Sequence, residues 1–328
     1  MINYAPSGRI SFIGLILAII IVLIAGTVLG VIAYLISKTI YLVPVSPLAL
    51  AFLSGLFATL AVRWGKIRNS IIAILIGLLI GTVSYGVYRV AEYAGALVEI
   101  AQINAVKDIS GLIAQVQGGQ RQLDLFLERE VGQGGFLGFT EFLAQEGMTI
   151  TRTGSSSSTG GITLVDESLY IYWAIEAIVI LLIAAGMARS SARKPFCEDG
   201  NRWLKDSDFQ MVGAINNADV DPFKKALLAN DFITAGAILA VPPPSGGALV
   251  RMVRCGGATE QPDDDIIMTV THKNSRNRVE TAFTGMMSFS AYNMLWNAVQ
   301  QRRGGYQQQQ PPQQPPPGGS GSGYQFDF

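Results

Sequence analysis

The chain has 328 residues, 49% of them hydrophobic and 15% charged, and its 24 basic and 24 acidic side chains cancel formally. That is too oily for an ordinary soluble protein of two or three domains, and the zero balance argues against a nucleic-acid binder that relies on phosphate neutralisation. With only Cys197 and Cys255 there is no disulfide framework, and the lone His272 limits histidine-based catalysis and multi-histidine metal sites.

Residues 1 to 8 form a short polar lead with Pro6, followed by Arg9. Residues 10 to 37 then carry no charge. About 20 apolar residues suffice to cross the hydrocarbon core as a helix, which predicts a first span here. A cleaved signal peptide competes, but its apolar region usually covers about 7–15 residues, so an uncleaved anchor is expected. Pro44 and Pro47 break the chain after Lys38, and a second span is expected over about 43 to 63, with its apolar body from 48 to 62. A third span is expected over 69 to 91.

Between the second and third spans lies the basic turn Arg63-Trp64-Gly65-Lys66-Ile67-Arg68-Asn69, and a fourth apolar block over 168 to 189 ends at Arg189, Arg193 and Lys194. Lys and Arg in short loops mark the cytoplasmic side. Both basic clusters and Arg9 therefore predict a cytoplasmic (inner) membrane protein with both termini cytoplasmic; only Lys38 falls on the other side. Small residues recur at four-residue spacing: Gly14, Ala18, Gly26 and Gly30, then Ala51, Gly55 and Thr59, then Ala73, Gly77 and Gly81. Such stripes let helix backbones approach closely. They serve either packing within the bundle or the seam of a homo-oligomer.

Residues 93 to 167 make an acidic external segment. Ile103, Val106, Ile109, Ile113 and Val116 fall near helical spacing, so the third helix is expected to continue outward as an amphipathic helix, with another turn or two around Leu123, Phe126 and Leu127. Phe136, Phe139 and Phe142 mark a short helix capped by Thr140 and ending at Gly147. Residues 148 to 152 and 162 to 165 alternate weakly around a Ser/Gly tract, which reads as a β-hairpin. Together these predict a small cap that packs on the bundle or rests in the lipid interface.

Residues 195 to 303 read as a cytoplasmic α+β domain. Asp221-Pro222 is expected to cap a helix through Leu228, and Asp231 to start another before Pro242. Period-two patterning over 249 to 254, 266 to 272 and 279 to 287 predicts three strands. A closing helix over 291 to 302 follows Ser290, and Trp203, Leu249, Met268, Phe283 and Trp296 are the expected core. Residues 304 to 328, rich in Gln, Pro and Gly, are expected to be disordered.

Cys197-Glu198-Asp199-Gly200 and Cys255-Gly256-Gly257-Ala258 each look like half of a C-x-x-C zinc knuckle. A structural zinc needs four ligands, and only His272 remains as a third nitrogen or sulfur candidate, so the expectation is a degenerate zinc-ribbon-like sheet without metal or cofactor. Asp263-Asp264-Asp265 reads as a solvated turn. The stretches Tyr4-Ala5-Pro6-Ser7-Gly8-Arg9-Ile10, Tyr172-Trp173-Ala174-Ile175-Glu176 and Lys194-Pro195-Phe196-Cys197-Glu198-Asp199-Gly200-Asn201-Arg202-Trp203 resemble a group of bacterial multipass membrane proteins with a Pro-Phe-Cys-x-x-Cys-like stretch after the last span. Gly200 and Ala258 depart from that cysteine pattern, and the resemblance implies no activity and no site residue.

Glu176 lies about eight residues inside the fourth span, on the order of 10 Å below its boundary at 1.5 Å per residue. Ionised groups at that depth face the bundle or water. Either it is held by Ser84 or Tyr85 with Arg89 reaching down, or it is a protonatable site on an ion pathway. The resulting expectation is a non-enzymatic membrane anchor or scaffold that presents its cytoplasmic domain, or its tail, to a protein partner; the alternative is a transporter, channel or accessory subunit using Glu176. Partners are the lipid bilayer, that protein and a possible second copy, with no nucleic acid.

Overall fold

The computed structural model describes residues 1–38, 45–100, 109–150, 162–241, 246–256, 265–273 and 278–309. The chain divides into two units, Pro6–Lys194 and Met1–Ala5 together with the chain from Pro195 onward. It is mostly helical, with a small antiparallel sheet region.

Four helices of the first unit are long and apolar enough to cross a membrane: α1 (Phe12–Ser37), α2 (Val45–Trp64), α3 (Ser70–Ile100) and α6 (Glu167–Ala192). The side chain of Ser11 accepts from the Gly14 N–H and starts α1. Pro47 does not break the chain but sits in the first turn of α2, where the backbone N–H has no intrahelical partner to lose. The basic turn reverses the chain at Gly65 and Lys66, the latter at φ 49°. Asn69 then accepts from the N–H groups of Ile71 and Ile72 at 2.9 and 3.2 Å and starts α3.

Helices α2 and α3 each pack on both α1 and α6. The shared core is built of small and β-branched residues, among them Ala18, Val22, Ala58, Ala73, Ile80, Ala184 and Ala188. A Cβ on Gly77 would lie 2.6 Å from the Ala184 carbonyl oxygen, and one on Gly14 would overlap the Gly65 carbonyl oxygen. Glycines of the small-residue stripes are thus used for close backbone approach within the chain.

Helices α4 (Ile109–Val131) and α5 (Gly135–Glu146) form the cap. Residues 103 to 108 of the expected outward continuation lie outside the described residues. Leu123 and Leu127 are buried, the Phe126 and Phe142 rings meet edge-on at 5.2 Å, and Tyr93 of α3 contacts Phe136 and Phe139 at 6.0 and 5.6 Å. Thr140 is not the cap of α5: it lies mid-helix and its hydroxyl donates to the Phe136 carbonyl. Asp124, from α4, instead accepts from the Gly135 N–H at 2.8 Å. Strands β2 (Met148–Ile150) and β3 (Ile162–Leu164) pair antiparallel, Met148 opposite Leu164, as the alternation predicts.

The second unit holds a sheet of five antiparallel strands, not three, in the order β1-β9-β8-β7-β6. Strands β7 (Ala248–Cys255), β8 (Asp265–Lys273) and β9 (Val279–Ser288) match the period-two segments; β6 (Gln210–Ile215) and β1 (Ile2–Asn3) are added at the edges. The polar N-terminal lead is therefore an edge strand, with Ile2 opposite Met286 and Asn3 opposite Gly285. Helices α7 (Val220–Leu228), α8 (Phe232–Ala240) and α9 (Phe289–Gln309) contribute Phe223, Leu227, Leu239, Leu295 and Val299 to a core over one sheet face.

Asp231 caps α8 as expected, accepting from Thr234 N–H at 3.0 Å. Asp221 does not cap α7, which begins one residue before it. Leu249 is 41% exposed, because strand alternation places Val250 and not Leu249 against the helices; Trp203 and Trp296 are only partly buried. The closing helix starts at Phe289 with the Ser288 hydroxyl accepting from Ala291 N–H, and it continues to Gln309. Residues 304 to 309 are thus helical, and the rest of the expected tail, from 310, lies outside the described residues, as do Asp263 and Asp264; Asp265 opens β8.

Candidate functional site

Among the described residues, a buried polar cluster lies inside the four-helix unit, where α3 and α6 face each other. Glu176 is 6% exposed. Its Oε1 accepts from the Tyr172 hydroxyl at 2.8 Å, one turn earlier on α6, and its Oε2 accepts from the Tyr85 hydroxyl at 3.3 Å. Arg89 lies one turn beyond Tyr85 on α3. Its Nε and Nη2 donate to the Tyr85 hydroxyl at 3.2 and 3.0 Å, and Nη2 is 3.7 Å from Glu176 Oε2. Its Nη1 bonds the Glu92 carboxylate at 2.9 Å. The guanidinium lies over the Trp173 ring at 4.3 Å. Helical spacing of three and four residues brings Tyr85, Arg89 and Glu92 to one stripe of α3, and Tyr172 and Glu176 to one stripe of α6.

The chemistry of this cluster is one of mutual satisfaction. Arg89 faces two carboxylates, and Tyr85 works as a hinge that accepts from the cation and donates to the anion. Removing ions from water is costly unless each is paired and its remaining hydrogen-bonding positions are filled, and here they are filled by phenols, a second carboxylate and an aromatic face. On the other side of Glu176, the next buried residues of α6 are Ile180, Ala184, Ala185 and Ala188, all apolar, before Ser191 near the helix end.

Of the four predicted residues, Glu176, Tyr85 and Arg89 are brought together and Ser84 is not. Ser84 is turned toward α2, where its hydroxyl pairs with that of Ser54 at 2.9 Å and bonds the Gly81 carbonyl. A helix steps 100° per residue, so neighbours such as Ser84 and Tyr85 cannot both point at α6. Sequence reasoning missed Tyr172 and Glu92, although their spacings of four from Glu176 and three from Arg89 are the signals that identify them. It also missed the stacking of Arg89 on Trp173, which no spacing within one helix reveals.

The cysteines form a separate site in the other unit. Strands β4 (Phe196–Cys197) and β5 (Arg202–Trp203) make a tight hairpin whose Gly200 N–H donates to the Cys197 sulfur at 3.4 Å. Cys197 and Cys255 are both buried in one cluster with Leu204, Val253 and Ile267. Burial, and after it the neighbouring Cys197, pushes the Cys255 thiol up from its ordinary range. His272 is not with them. Cys255 pairs with Asp265, so His272 stands seven residues further along β8, on the order of 23 Å away at about 3.3 Å per residue. Among the described residues no three His, Cys, Asp or Glu side chains converge as metal ligands would. Comparison with family models, with curated proteins and with solved structures gave no match for this chain.

Proposed function

We propose that the chain is a multipass membrane scaffold that presents an α+β domain at the cytoplasmic face of the inner membrane. The observation that carries the reading is the pairing of β1 with β9, Ile2 opposite Met286. One domain is closed by chain segments that lie before the first and after the last of four apolar helices, so both ends of the helical unit leave on one side, as an even number of crossings requires. Arg63, Lys66 and Arg68 in the turn after α2, and Arg189, Arg193 and Lys194 at the end of α6, assign that side to the cytoplasm. The degenerate zinc-ribbon reading is narrowed to the β4–β5 knuckle and Cys255, which act as an apolar clasp on the second sheet face.

In this reading the Glu176 cluster fixes α6 to α3 and carries no flux, because its charges are paired and the buried positions that follow it on α6, Ile180, Ala184 and Ala185, are apolar. The segment 93 to 167, which holds the cap, is then external. In intact cells, with Cys197 and Cys255 replaced by serine, an impermeant thiol reagent is expected to label Gln120→Cys in the cap and to spare Gln300→Cys in α9. Labelling of Gln300→Cys without lysis would sink the topology. Glu176-dependent ion flux in reconstituted vesicles would replace the scaffold reading by that of a transporter.

A further inference from the structure

A cavity of about 330 Å³ opens between the outer halves of α1 and α2 and reaches α3 and α6. Leu29 and Ile180 close its deep end, and Ser37 and Val45 stand at its other end, where α1 stops and α2 starts. From Leu29 to Ser37 is eight residues, about 12 Å along the helix at 1.5 Å per residue. A volume of about 330 Å³ is at the low end of the range of ligand cavities, about 300–1,000 Å³, which suits a single hydrocarbon chain. An α-helix, with side chains about 10 Å across, is too wide to enter it.

The walls are apolar. Glu176 reaches the cavity, but its oxygens accept from the Tyr172 and Tyr85 hydroxyls, so it presents a satisfied surface. An ordered water needs two to four polar partners, whereas an apolar cavity stays dry and takes up apolar molecules. The open flank is edged by Ile36 and Leu53, 58% and 40% exposed, which belong to the same apolar surface that the four helices turn outward. The slot is therefore continuous with the surface that meets lipid tails, and Ser37 and Ser46 line the end that lies at the helix ends, the depth of the headgroups.

We infer that this slot holds one acyl chain of a membrane phospholipid, headgroup beside Ser37 and Ser46 and chain end against Leu29 and Ile180. The bound chain fills the gap between α1 and α2 that their own side chains leave. The inference rests on the bilayer placement proposed above.

The full chain, extracted in mild detergent and reconstituted in palmitoyl-oleoyl phosphatidylglycerol nanodiscs, is examined by native mass spectrometry after release. One phospholipid per chain is expected on the unaltered protein. Ala33→Phe and Ala49→Phe narrow the slot from partly exposed wall positions and are expected to cut the lipid-bound fraction at least tenfold; Leu75→Phe, lipid-facing but outside the slot, leaves it unchanged. Thermal unfolding identifies any variant that has lost its fold, and Ala49→Val then serves with an intermediate loss expected. No retained lipid, equal retention by the slot variants, or a retained molecule without an acyl chain overturns the inference. A chain that stays dispersed without detergent overturns the bilayer placement itself.

Discussion

The Tyr4 hydroxyl accepts a hydrogen bond from the Phe196 backbone N–H at 2.9 Å, across 192 residues of sequence. Tyr4 also donates its own backbone N–H to the Thr284 carbonyl at 3.0 Å and packs against the Cys197 and Cys255 cluster. The residues ahead of α1 are thus part of a domain whose remainder follows α6. The chain must complete all four helices before this sheet can gain its edge strand, so closure of the domain comes late in synthesis.

Tyr4→Phe keeps the ring and removes the acceptor from a buried N–H. The expected cost is about 1–3 kcal/mol, that of leaving such a donor without its acceptor. Deleting residues 2 to 4 removes β1 as well and is expected to cost more. Thermal unfolding of the full chain checks both, and an unchanged midpoint after the deletion would mean that the edge strand contributes nothing.

Gly77 and Gly86 both lie on α3 but differ in surroundings. A Cβ at Gly77 meets backbone atoms of Ala184 and Ala185 at 2.6 Å, which cannot move without separating the helices; at Gly86 nothing lies within 4 Å. Gly77→Ala is expected to destabilise the bundle by about 1–3 kcal/mol, as overpacking does. Gly86→Ala is expected to be neutral or slightly stabilising through helix propensity. The midpoint difference between the two detergent-solubilised variants tests this, and equal behaviour would remove close α3–α6 approach as the reason for the stripe.

What the residues made legible was local. Long apolar runs identify α1, α2, α3 and α6, and alternation identifies β2, β3, β7, β8 and β9, because burial acts on each residue of those segments separately. Strand β6, with Gly213 at its centre and a register shift beside it, has no clean alternation to read. Strand β1 is two residues long, and only its partner β9 makes it a strand. In the polar cluster, Glu176 was visible as a charge in an apolar run, and Arg89 as its nearest counter-charge. The choice of Tyr85 over Ser84 depended on the rotation of α3 about its axis, which only packing against α6 sets.

Cys255 is expected to be an inert thiol at neutral pH. Thiolate is the reactive form, and burial disfavours it in Cys255. A disulfide reagent should modify Cys255 only as fast as the domain opens, and chelation should leave the unfolding midpoint unchanged. The sign of the pH effect follows from linkage. The folded thiol titrates above its unfolded value of 9.0, so its contribution is whole below that pH and is lost as the pH rises through the folded value. Cys255→Ala is expected to flatten the alkaline decline in stability; a decline unchanged by that variant would assign it to other groups.

Glu176 offers the sharpest distinction between a structural and an electrostatic role. Glu176→Gln keeps an oxygen to accept from Tyr172 and loses the 3.7 Å contact to Arg89, whose closer partner, Glu92 at 2.9 Å, remains. Because Arg89 stays paired, the expected cost is small, about 1 kcal/mol. Glu176→Leu removes both acceptor oxygens at once and leaves the Tyr172 hydroxyl without its carboxylate in an apolar interior, whereas the Tyr85 hydroxyl keeps the Trp173 carbonyl at 3.3 Å. A buried donor deprived in this way costs about 1–3 kcal/mol, and the 3.7 Å contact to Arg89 is lost as well, so the expected loss is about 2–3 kcal/mol in all. Glu92→Gln takes away the nearer partner of Arg89 and should fall between the two, since Glu176 can still attract the guanidinium. The predicted order of midpoints is Glu176→Gln highest, Glu92→Gln next and Glu176→Leu lowest, measured on the purified full chain in one detergent. If Glu176→Gln is as damaging as Glu176→Leu, it is the negative charge that holds α6 to α3, and the hydrogen-bonded bridge through Tyr85 is not what joins them.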